Sequence, residues 1–339
     1  MHMTRTIDWD GEAVAIIDQT LLPHEERVVC LREVGELTEA IRTMRVRGAP
    51  ALGVAGALGI ALAARRAQER GEDVRQAVER AAIALASTRP TAVNLRWGIG
   101  QASRAAGQGP EAIVEAAVSV LEADVKTNRR IAERGADWLE SLRHPGRLRV
   151  LTHCNTGALA CVEIGTALGV IQLAHRRGLV KEVIATETRP SLQGSRLTAW
   201  ELRRLEIPYH LIADSAAASL IARHAVDVVV VGADRIAANH DVANKVGTYP
   251  VALASQAAGV PFVVVAPEST LDDAVPDGEH IPIEQRAEDE VLGFAGVRVA
   301  PLGSRAINPA FDITPSDLIT AIITEDRVIE PAAKTVASP

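Results

Sequence analysis

The sequence predicts an α/β protein, with a mainly helical N-terminal domain that has a short β opening, followed by a Rossmann-like domain with a doubly wound parallel sheet. Three observations lead to this prediction. The chain has 339 residues, more than one hydrophobic core comfortably holds. Its first part carries apolar residues at a helical period, and its second part alternates short apolar runs with segments of helical length. Two domains are therefore expected.

The N-terminal domain is predicted to cover residues 1–145. Short strands are expected around 13–18 and 27–30. From Leu31 to Met44 apolar side chains recur every three or four positions, and the stretches 73–87 and 110–140 follow the same pattern. The uncharged run APALGVAGALGIALAA ends at Ala64 and is shorter than the roughly 20 residues that cross a bilayer. A buried helix is the prediction for it.

Pro145 and Gly146 mark the predicted boundary, so that the Rossmann-like domain covers 146–330 and a disordered tail covers 331–339. Five runs predict its strands: LRVLTHC, VKEVIATE, PYHLIAD, VDVVVVGAD and PFVVVAP. Runs that are apolar on both faces and separated by helical segments are typical of a parallel sheet covered by helices on both sides.

Composition excludes several classes of protein. The formal net charge of -7 argues against nucleic-acid binding, which needs a dense basic surface. The three cysteines form no CxxC pair, so neither a disulfide framework nor a structural zinc site is expected. The N-terminal segment lacks the apolar core of a signal peptide, which predicts a cytoplasmic protein with reduced thiols.

Reactive or hydrogen-bonding residues follow four of the predicted strands. They are His153-Cys154-Asn155, Glu187-Thr188-Arg189, Asp214-Ser215 and Asp234-Arg235. Open parallel sheets bind ligands beyond the carboxyl ends of their strands. Four such ends therefore favour a ligand site over ordinary loop polarity.

Cys154 is the first candidate for chemistry. The segment Asn155-Thr156-Gly157 is expected to cap a following helix, whose positive end would favour a thiolate or an anionic substrate group. A Cys/His pair is not expected, because adjacent strand residues point to opposite faces and His153 would not reach the thiol. A buried structural thiol is the alternative. Cys161, inside the presumed helix, is expected to pack in the core.

Asp234 is the second candidate. It ends the run VDVVVVGAD, whose four consecutive valines lead out of the predicted sheet to its edge. Partial burial there raises the pKa of a carboxyl group and suits it to general acid catalysis. The alternative is a turn cap. In that case replacing Asp234 with Asn would leave turnover largely intact.

Candidate anion-binding residues are scattered along the chain. No Walker loop and no GxGxxG follows a strand, so no nucleotide cofactor is predicted, and no metal-ligand spacing is present. Each cation alone could be a solvated surface charge. Together, five residues could surround one phosphorylated small molecule: Arg47, Arg89, Gln193, Asn244 and Lys245.

Six blocks of sequence, in this order, resemble the 5-methylthioribose-1-phosphate isomerase family, which also contains related sugar-phosphate isomerases and the regulatory subunits of a eukaryotic translation-initiation exchange factor. They span residues 44–325: MRVRGAPALGVAGALG, TRPTAVNLRW, LTHCNTGALA, ETRPSLQGSRLTAWEL, GADRIAANHDVANKVGTYPVALAS and NPAFDITPSDLITAIITE. The resemblance implies that Cys154 and Asp234 are the catalytic pair. It further implies a homodimer through the Rossmann-like domain, without cofactor, and substrate contacts at Arg47, Gly48, Ala49, Arg89, Gln193, Asn244 and Lys245. One departure is His240, where the family commonly has glycine.

The implied reaction converts 5-methylthioribose 1-phosphate to 5-methylthioribulose 1-phosphate in methionine salvage. The anomeric phosphate prevents simple opening to an aldehyde, so the hypothesis is that Asp234 protonates the departing ring oxygen while Cys154 acts at C2. Proton transfer through an enol phosphate and hydride shift from C2 to C1 both remain open, as does substrate-induced domain closure. The alternatives are an isomerase of 5-deoxyribose 1-phosphate or ribose 1,5-bisphosphate, and a non-catalytic regulatory subunit.

Overall fold

The computed structural model describes residues 5–90, 92–294 and 296–331. The chain divides into two compact units, one formed by the chain up to Arg130 with Thr156–Gly169, the other by Ile131–Asn155 and the chain from Val170 onwards. The chain therefore passes from one unit to the other at three positions, 130/131, 155/156 and 169/170, whereas the sequence predicted one boundary at 145/146. Of the predicted tail, residues 332–339 lie outside the described part of the chain.

The first unit opens with an antiparallel sheet of three strands in the order β1-β2-β3. The strands are β1 (Ile7–Trp9), β2 (Val14–Ile17) and β3 (Val28–Leu31). The helices that follow are α1 (Val34–Arg42), α2 (Ala49–Arg70), α3 (Val74–Thr88), α4 (Val93–Ser103) and α5 (Pro110–Ser141), the last of which continues into the second unit. The predicted β opening and mainly helical character are confirmed, while β1 and α4 were not predicted.

Helix α2 is the centre of this unit. All its residues from Ala51 to Ala64 are buried, as predicted, and none of the described helices is long and apolar enough to cross a membrane. Small residues let α4 approach it closely, since a Cβ added to Gly98 would lie 1.8 Å from the carbonyl oxygen of Gly53. Backbone therefore packs on backbone where these two helices cross.

The second unit contains a sheet of seven strands in the order β16-β15-β10-β7-β4-β5-β6. All neighbours are parallel except β15 and β16. These strands are β4 (Leu148–Thr152), β5 (Val180–Thr186), β6 (Tyr209–Ile212), β7 (Val228–Val231), β10 (Phe262–Val265), β15 (Ala321–Ile323) and β16 (Val328–Ile329). The five predicted strands and the predicted doubly wound, Rossmann-like parallel sheet are confirmed.

Two smaller sheets complete the unit. One has the order β11-β8-β9-β14, and the other is the hairpin β12-β13. Their strands are β8 (Arg235–Ala237), β9 (Val242–Lys245), β11 (Leu271–Asp272), β12 (Gly293–Phe294), β13 (Val297–Arg298) and β14 (Phe311–Thr314). The remaining helices are α6 (Ala167–Arg176), α7 (Ala199–Arg204), α8 (Ala217–Ala222), α9 (Thr248–Ala258) and α10 (Asp289–Leu292).

Candidate active site

Cys154 and Asp234 follow neighbouring parallel strands at the point where the strand order of the large sheet reverses. Strand β4 pairs with β7, and the chain leaves β4 for β5 on one side but leaves β7 for β10 on the other. Ligands of Rossmann-like sheets bind in the crevice that this reversal creates beyond the carboxyl ends. Cys154 comes two residues after β4 and Asp234 three residues after β7, so the structure brings the predicted pair to this edge.

The backbone of Cys154 is held from both sides by threonine hydroxyl groups. Its N–H donates to Oγ1 of Thr188 at 3.0 Å, and its carbonyl oxygen accepts from Oγ1 of Thr198 at 2.6 Å. The residue is buried and adopts a left-handed conformation with a φ of 67°. L-residues other than glycine enter this region at a cost of about 1–3 kcal/mol. The two threonines therefore stabilise a strained backbone at the candidate catalytic cysteine.

The predicted helix cap after Cys154 is wrong. Residues Ala158–Ala160 form one 3₁₀ turn, and α6 begins only at Ala167. The amide of Asn155 donates instead to Oε1 of Glu201 at 2.7 Å and to Oγ1 of Thr198 at 3.2 Å. The described residues that directly follow Cys154 therefore form no α-helix that would place a helix dipole there as predicted. Cys161 lies outside any helix, although it is buried as expected.

The loop after β5 is fixed by an aspartate from the next strand. The carboxylate of Asp214, which follows β6, accepts the N–H groups of Thr188 and Arg189, each at 2.7 Å. Thr188 is itself left-handed, with a φ of 64°. The sequence showed polar residues at these strand ends, but their spacing gave no sign that Asp214 binds the backbone of the Thr188 loop.

His153 is buried and uses both ring nitrogens in hydrogen bonds. Nε2 lies 2.9 Å from the carbonyl oxygen of Val246, and Nδ1 lies 2.7 Å from Oγ1 of Thr186. A carbonyl oxygen only accepts, so the proton is on Nε2 and the Thr186 hydroxyl donates to Nδ1. Burial lowers the pKa of His153, which keeps the ring neutral. These partners agree with the expectation that His153 is not paired with the thiol.

Asp234 enters a hairpin that carries two further predicted residues. Its N–H donates to the carbonyl oxygen of Ala243 at 2.9 Å, and its side chain is partly exposed. Asn244 and Lys245 lie on β9 of this hairpin, and both are buried. Asp234, Asn244 and Lys245 therefore belong to one small structural element.

The β9 residues are held by specific contacts. The amide of Asn244 donates to Oγ1 of Thr248 at 2.9 Å, while Nζ of Lys245 donates to the carbonyl oxygen of Ala310 at 2.8 Å. Asp312, opposite Asn244 on β14, accepts the N–H groups of Gly247 and Tyr249. Burial raises the pKa of Asp312 to about 6. Asp312 was missed at the sequence level because it stands far from the site in the chain.

His240, the departure from the family pattern, occupies the turn between β8 and β9. Its φ is 67°, a conformation that glycine adopts without strain. Its N–H still donates to the carbonyl oxygen of Ala237 at 2.8 Å. The turn therefore keeps its closing hydrogen bond with histidine at this position.

Gln193 stands at the start of the irregular helical turn Gly194–Thr198 and is only 6% exposed. Its Oε1 has no hydrogen-bond partner among the described residues. The turn lies tightly on the end of β5, since a Cβ on Gly194 would lie 1.7 Å from the carbonyl oxygen of Thr186. A buried acceptor left unsatisfied costs about 1–3 kcal/mol, so it is suited to accept a hydrogen bond from a ligand.

Three of the four predicted substrate contacts in the first unit, Arg47, Gly48 and Ala49, are consecutive residues at the start of α2. Gly48 precedes the helix with a φ of 96°, Ala49 is its first residue, and Nε of Arg47 donates to Oε1 of Gln19 at 3.2 Å. The first N–H groups of a helix have no intrahelical acceptor and attract anions. Arg89, the fourth predicted contact in this unit, directly follows the last residue of α3.

Comparison with known proteins identifies the family. The model of the initiation factor 2 subunit family matches residues 45–331. The chain belongs to this family. It is 48% identical to a methylthioribose-1-phosphate isomerase of Gloeobacter violaceus. The alignment of 335 residues covers 98% of this chain and 95% of that relative. The predicted resemblance is thereby confirmed.

Solved structures agree with this assignment. The 5-methylthioribose 1-phosphate isomerase of Pyrococcus horikoshii superposes with a TM-score of 0.88 at 40% identity, covering 97% of this chain and 93% of that chain. A structure described as translation initiation factor eIF-2B, subunit delta, from A. fulgidus gives 0.84 at 44% identity, covering 97% and 96%. The chain spans 61% of a probable bifunctional isomerase/dehydratase of Nocardia farcinica, to which it is 47% identical.

Proposed function

We propose that this chain is an aldose–ketose isomerase that converts 5-methylthioribose 1-phosphate to 5-methylthioribulose 1-phosphate in methionine salvage. The observation that carries the proposal is the position of Cys154 and Asp234 after adjacent strands at the reversal of the sheet. The names of relatives that match nearly the whole chain support the substrate and the reaction.

The chemistry assigns a separate task to each member of the pair. Asp234 donates a proton to the ring oxygen as the bond from that oxygen to C1 breaks, and the electron pair of that bond goes to the oxygen. In the proton-transfer route the Cys154 thiolate takes the proton from C2, and the electron pair of that C–H bond forms the double bond of an enol phosphate. The thiol then returns a proton to C1, while the C2 hydroxyl gives its proton to the Asp234 carboxylate and becomes the ketone. In the hydride route the C2 hydrogen moves to C1 with its electron pair, and Cys154 stabilises the charge that develops beside it. The C2 hydroxyl gives its proton to the Asp234 carboxylate as the ketone forms.

The remaining predicted residues bind the substrate in this proposal. Arg47 and the N–H groups at the start of α2 suit a phosphate group, and Arg89 and Lys245 supply further positive charge. Oε1 of Gln193, which has no hydrogen-bond partner in the described part of the chain, suits a sugar hydroxyl. Asn244, whose amide is already oriented by Thr248, provides a second polar contact. The mechanism uses neither a metal ion nor a cofactor.

A non-catalytic regulatory subunit is the second candidate, because one similar structure carries the name of an initiation-factor subunit. Such a protein needs neither a thiol nor an acid at the edge of the sheet. The presence of both residues, together with Gln193 and Lys245, favours the enzyme.

The deciding experiment measures isomerisation of 5-methylthioribose 1-phosphate by the full chain and by Cys154→Ser and Asp234→Asn. We expect turnover by the wild type and a loss of kcat on the order of 10³-fold in each variant. Cys30→Ser is the matched control, because Cys30 is exposed on β3. A folded wild type without turnover would favour the regulatory subunit. Normal kcat in Cys154→Ser would remove the thiol from the mechanism.

Two further measurements refine the proposal. Specificity constants for the methylthio sugar, 5-deoxyribose 1-phosphate and ribose 1,5-bisphosphate should rank the methylthio sugar first. Reaction in deuterated water should place solvent deuterium at C1 if protons are exchanged, whereas a pure hydride shift places none there.

We also propose a homodimer in the cytoplasm, on the strength of the family resemblance alone. Light scattering coupled to size-exclusion chromatography should give twice the chain mass of 36.0 kDa. A monomer at micromolar concentration would contradict the dimer.

A further inference from the structure

We infer that Val246, His153, Thr186 and Thr188 form a hydrogen-bonded relay that positions Cys154. This inference rests on the proposed catalytic role of Cys154. The four members act as positioning residues, since each would influence the reaction through the backbone of the cysteine.

The direction of every hydrogen bond in the relay is fixed by its first acceptor. The carbonyl oxygen of Val246 requires the His153 proton on Nε2, so Nδ1 must accept from Thr186. The Thr186 hydroxyl has then used its only proton. A hydrogen bond across the 3.1 Å that separates the two threonine Oγ1 atoms therefore has Thr188 as its donor, and the carbonyl oxygen of Thr186, at 3.3 Å, is the second acceptor within reach of the same hydroxyl group. Oγ1 of Thr188 in turn accepts the N–H of Cys154 at 3.0 Å.

The relay acts on a residue whose backbone needs support. Cys154 is left-handed, and relaxation to an ordinary φ would swing its side chain away from its present direction. Thr188 restrains the N–H of Cys154 while Thr198 restrains its carbonyl group. Because Thr186, Thr188 and His153 are all buried, water does not readily replace a missing hydroxyl.

The other end of the relay lies next to residues proposed to bind substrate. Val246 directly follows Asn244 and Lys245, and the N–H of the next residue, Gly247, donates to Asp312 at 2.7 Å. Gly247 also leaves room for the imidazole, since a Cβ there would lie 2.8 Å from Cε1 of His153. Hydrogen bonds through the neutral His153 ring and two threonine hydroxyl groups thus join the segment that carries Lys245 to the backbone of Cys154.

The test compares the loss of a hydroxyl group with its retention. Thr186→Val and Thr188→Val keep the side-chain shape but break the relay, whereas Thr186→Ser and Thr188→Ser keep the hydroxyl. We expect kcat to fall about 10-fold in each Val variant, as the loss of one buried hydrogen bond implies, with KM changed less than about 2-fold. The Ser variants should recover most of kcat.

Thr152→Val is the matched control. Thr152 is a buried threonine on β4 whose hydroxyl donates to the carbonyl oxygen of Val230 at 2.8 Å, outside the relay. It should lose a comparable amount of stability while kcat stays at the wild-type value. An equal loss of kcat in Thr152→Val would indicate general destabilisation and overturn the inference.

The remaining outcomes separate the relay from the proposed function. Wild-type kcat in both relay Val variants, with Cys154→Ser inactive, would reject the relay alone. Full activity in Cys154→Ser would reject the catalytic role of the cysteine itself. If the Val variants do not fold, ¹⁵N NMR of the wild type decides. A proton on Nε2 of His153 supports the relay, and one on Nδ1 overturns it.

Discussion

The start of α2 in the first unit and the strand ends of the second unit were both predicted to bind the substrate, but they are built by different means. Around Gly48 the structure depends on the absence of a side chain, because the neighbouring backbone occupies that space. Around Cys154 it depends on side-chain hydroxyl, imidazole and carboxylate groups that hold the main chain in place. The first region is therefore sensitive to added volume, and the second to the loss of polar atoms.

Among the tests of this comparison, the largest effect is expected where volume is added at the start of α2. In Gly48→Ala the new Cβ would lie 2.5 Å from Cα of Ala160, and the φ of 96° adds strain. Backbone must shift, and we expect KM for the sugar phosphate to rise on the order of 100-fold. Steady-state kinetics of the full chain measures this.

Gly71→Ala is its control, because Gly71 ends the same helix at a φ of 68° with no atom within 4 Å of the added Cβ. We expect a loss of about 1–2 kcal/mol in stability and unchanged KM. If both variants behave alike, conformational strain rather than volume explains the effect at Gly48.

Added volume should also disturb the second region, but only through a side chain that can move. In Gly247→Ala the Cβ would press on the His153 ring, so we expect kcat to fall about 10-fold. Gly259→Ala, at the other end of α9 with a φ of 66° and open space, should retain kcat. A rise in KM with unchanged kcat in Gly247→Ala would contradict an effect transmitted through His153.

Removal of a polar atom should have opposite effects on stability and binding at Gln193. Because Oε1 is buried without a partner among the described residues, Gln193→Met should raise the urea midpoint of the free protein by the equivalent of about 1 kcal/mol. KM should rise about 5-fold to 20-fold, since the substrate loses a hydrogen bond. Urea unfolding measures the expected rise in stability, and steady-state kinetics on the same sample measures the expected rise in KM. Lower stability in the variant would show that Oε1 is satisfied in the free protein.

The smallest effect concerns pH. Burial lowers the pKa of His153 below its unfolded value of about 6.5, so the unfolded chain binds the proton first. The contribution of His153 to stability is therefore complete above pH 6.5 and declines as the pH falls below it, by at most about 1.4 kcal/mol per pH unit.

His153→Asn isolates this contribution from that of Asp312, whose pKa of about 6 makes stability fall as the pH rises from about 4 to 6. The difference in urea midpoint between wild type and His153→Asn should shrink from pH 7.5 to pH 5.5. A constant difference would mean that His153 titrates normally in the folded protein.

Local sequence predicted those parts of the fold whose signals are themselves local. The four valines of β7 and the small-residue run of α2 were recognised because burial on all sides requires continuous apolar sequence. Helix α4 was missed because Gly98 and Gly100 weaken its helix propensity, and its packing on Gly53 and Gly56 of α2 compensates. Strands β15 and β16 were missed because each is two or three residues long.

The cap predicted at Asn155 shows where local reasoning fails. Asn155 is a good capping residue, yet a buried glutamate 46 positions away accepts its amide in a hydrogen bond. A local preference worth about 1 kcal/mol yields to a hydrogen bond that satisfies a buried carboxyl group.

The sequence by itself determined the α/β architecture, the family and the identity of the candidate catalytic pair, because strand runs and motif blocks are written in consecutive residues. Only the tertiary structure decided that Cys154 is left-handed, that His153 is neutral and joined to Val246, and that Asp214 and Asp312 bind backbone loops. Those features depend on hydrogen bonds between residues distant in the chain. Burial sets the strength of these hydrogen bonds and the protonation state of His153, and the burial of a residue cannot be read from a short stretch of sequence.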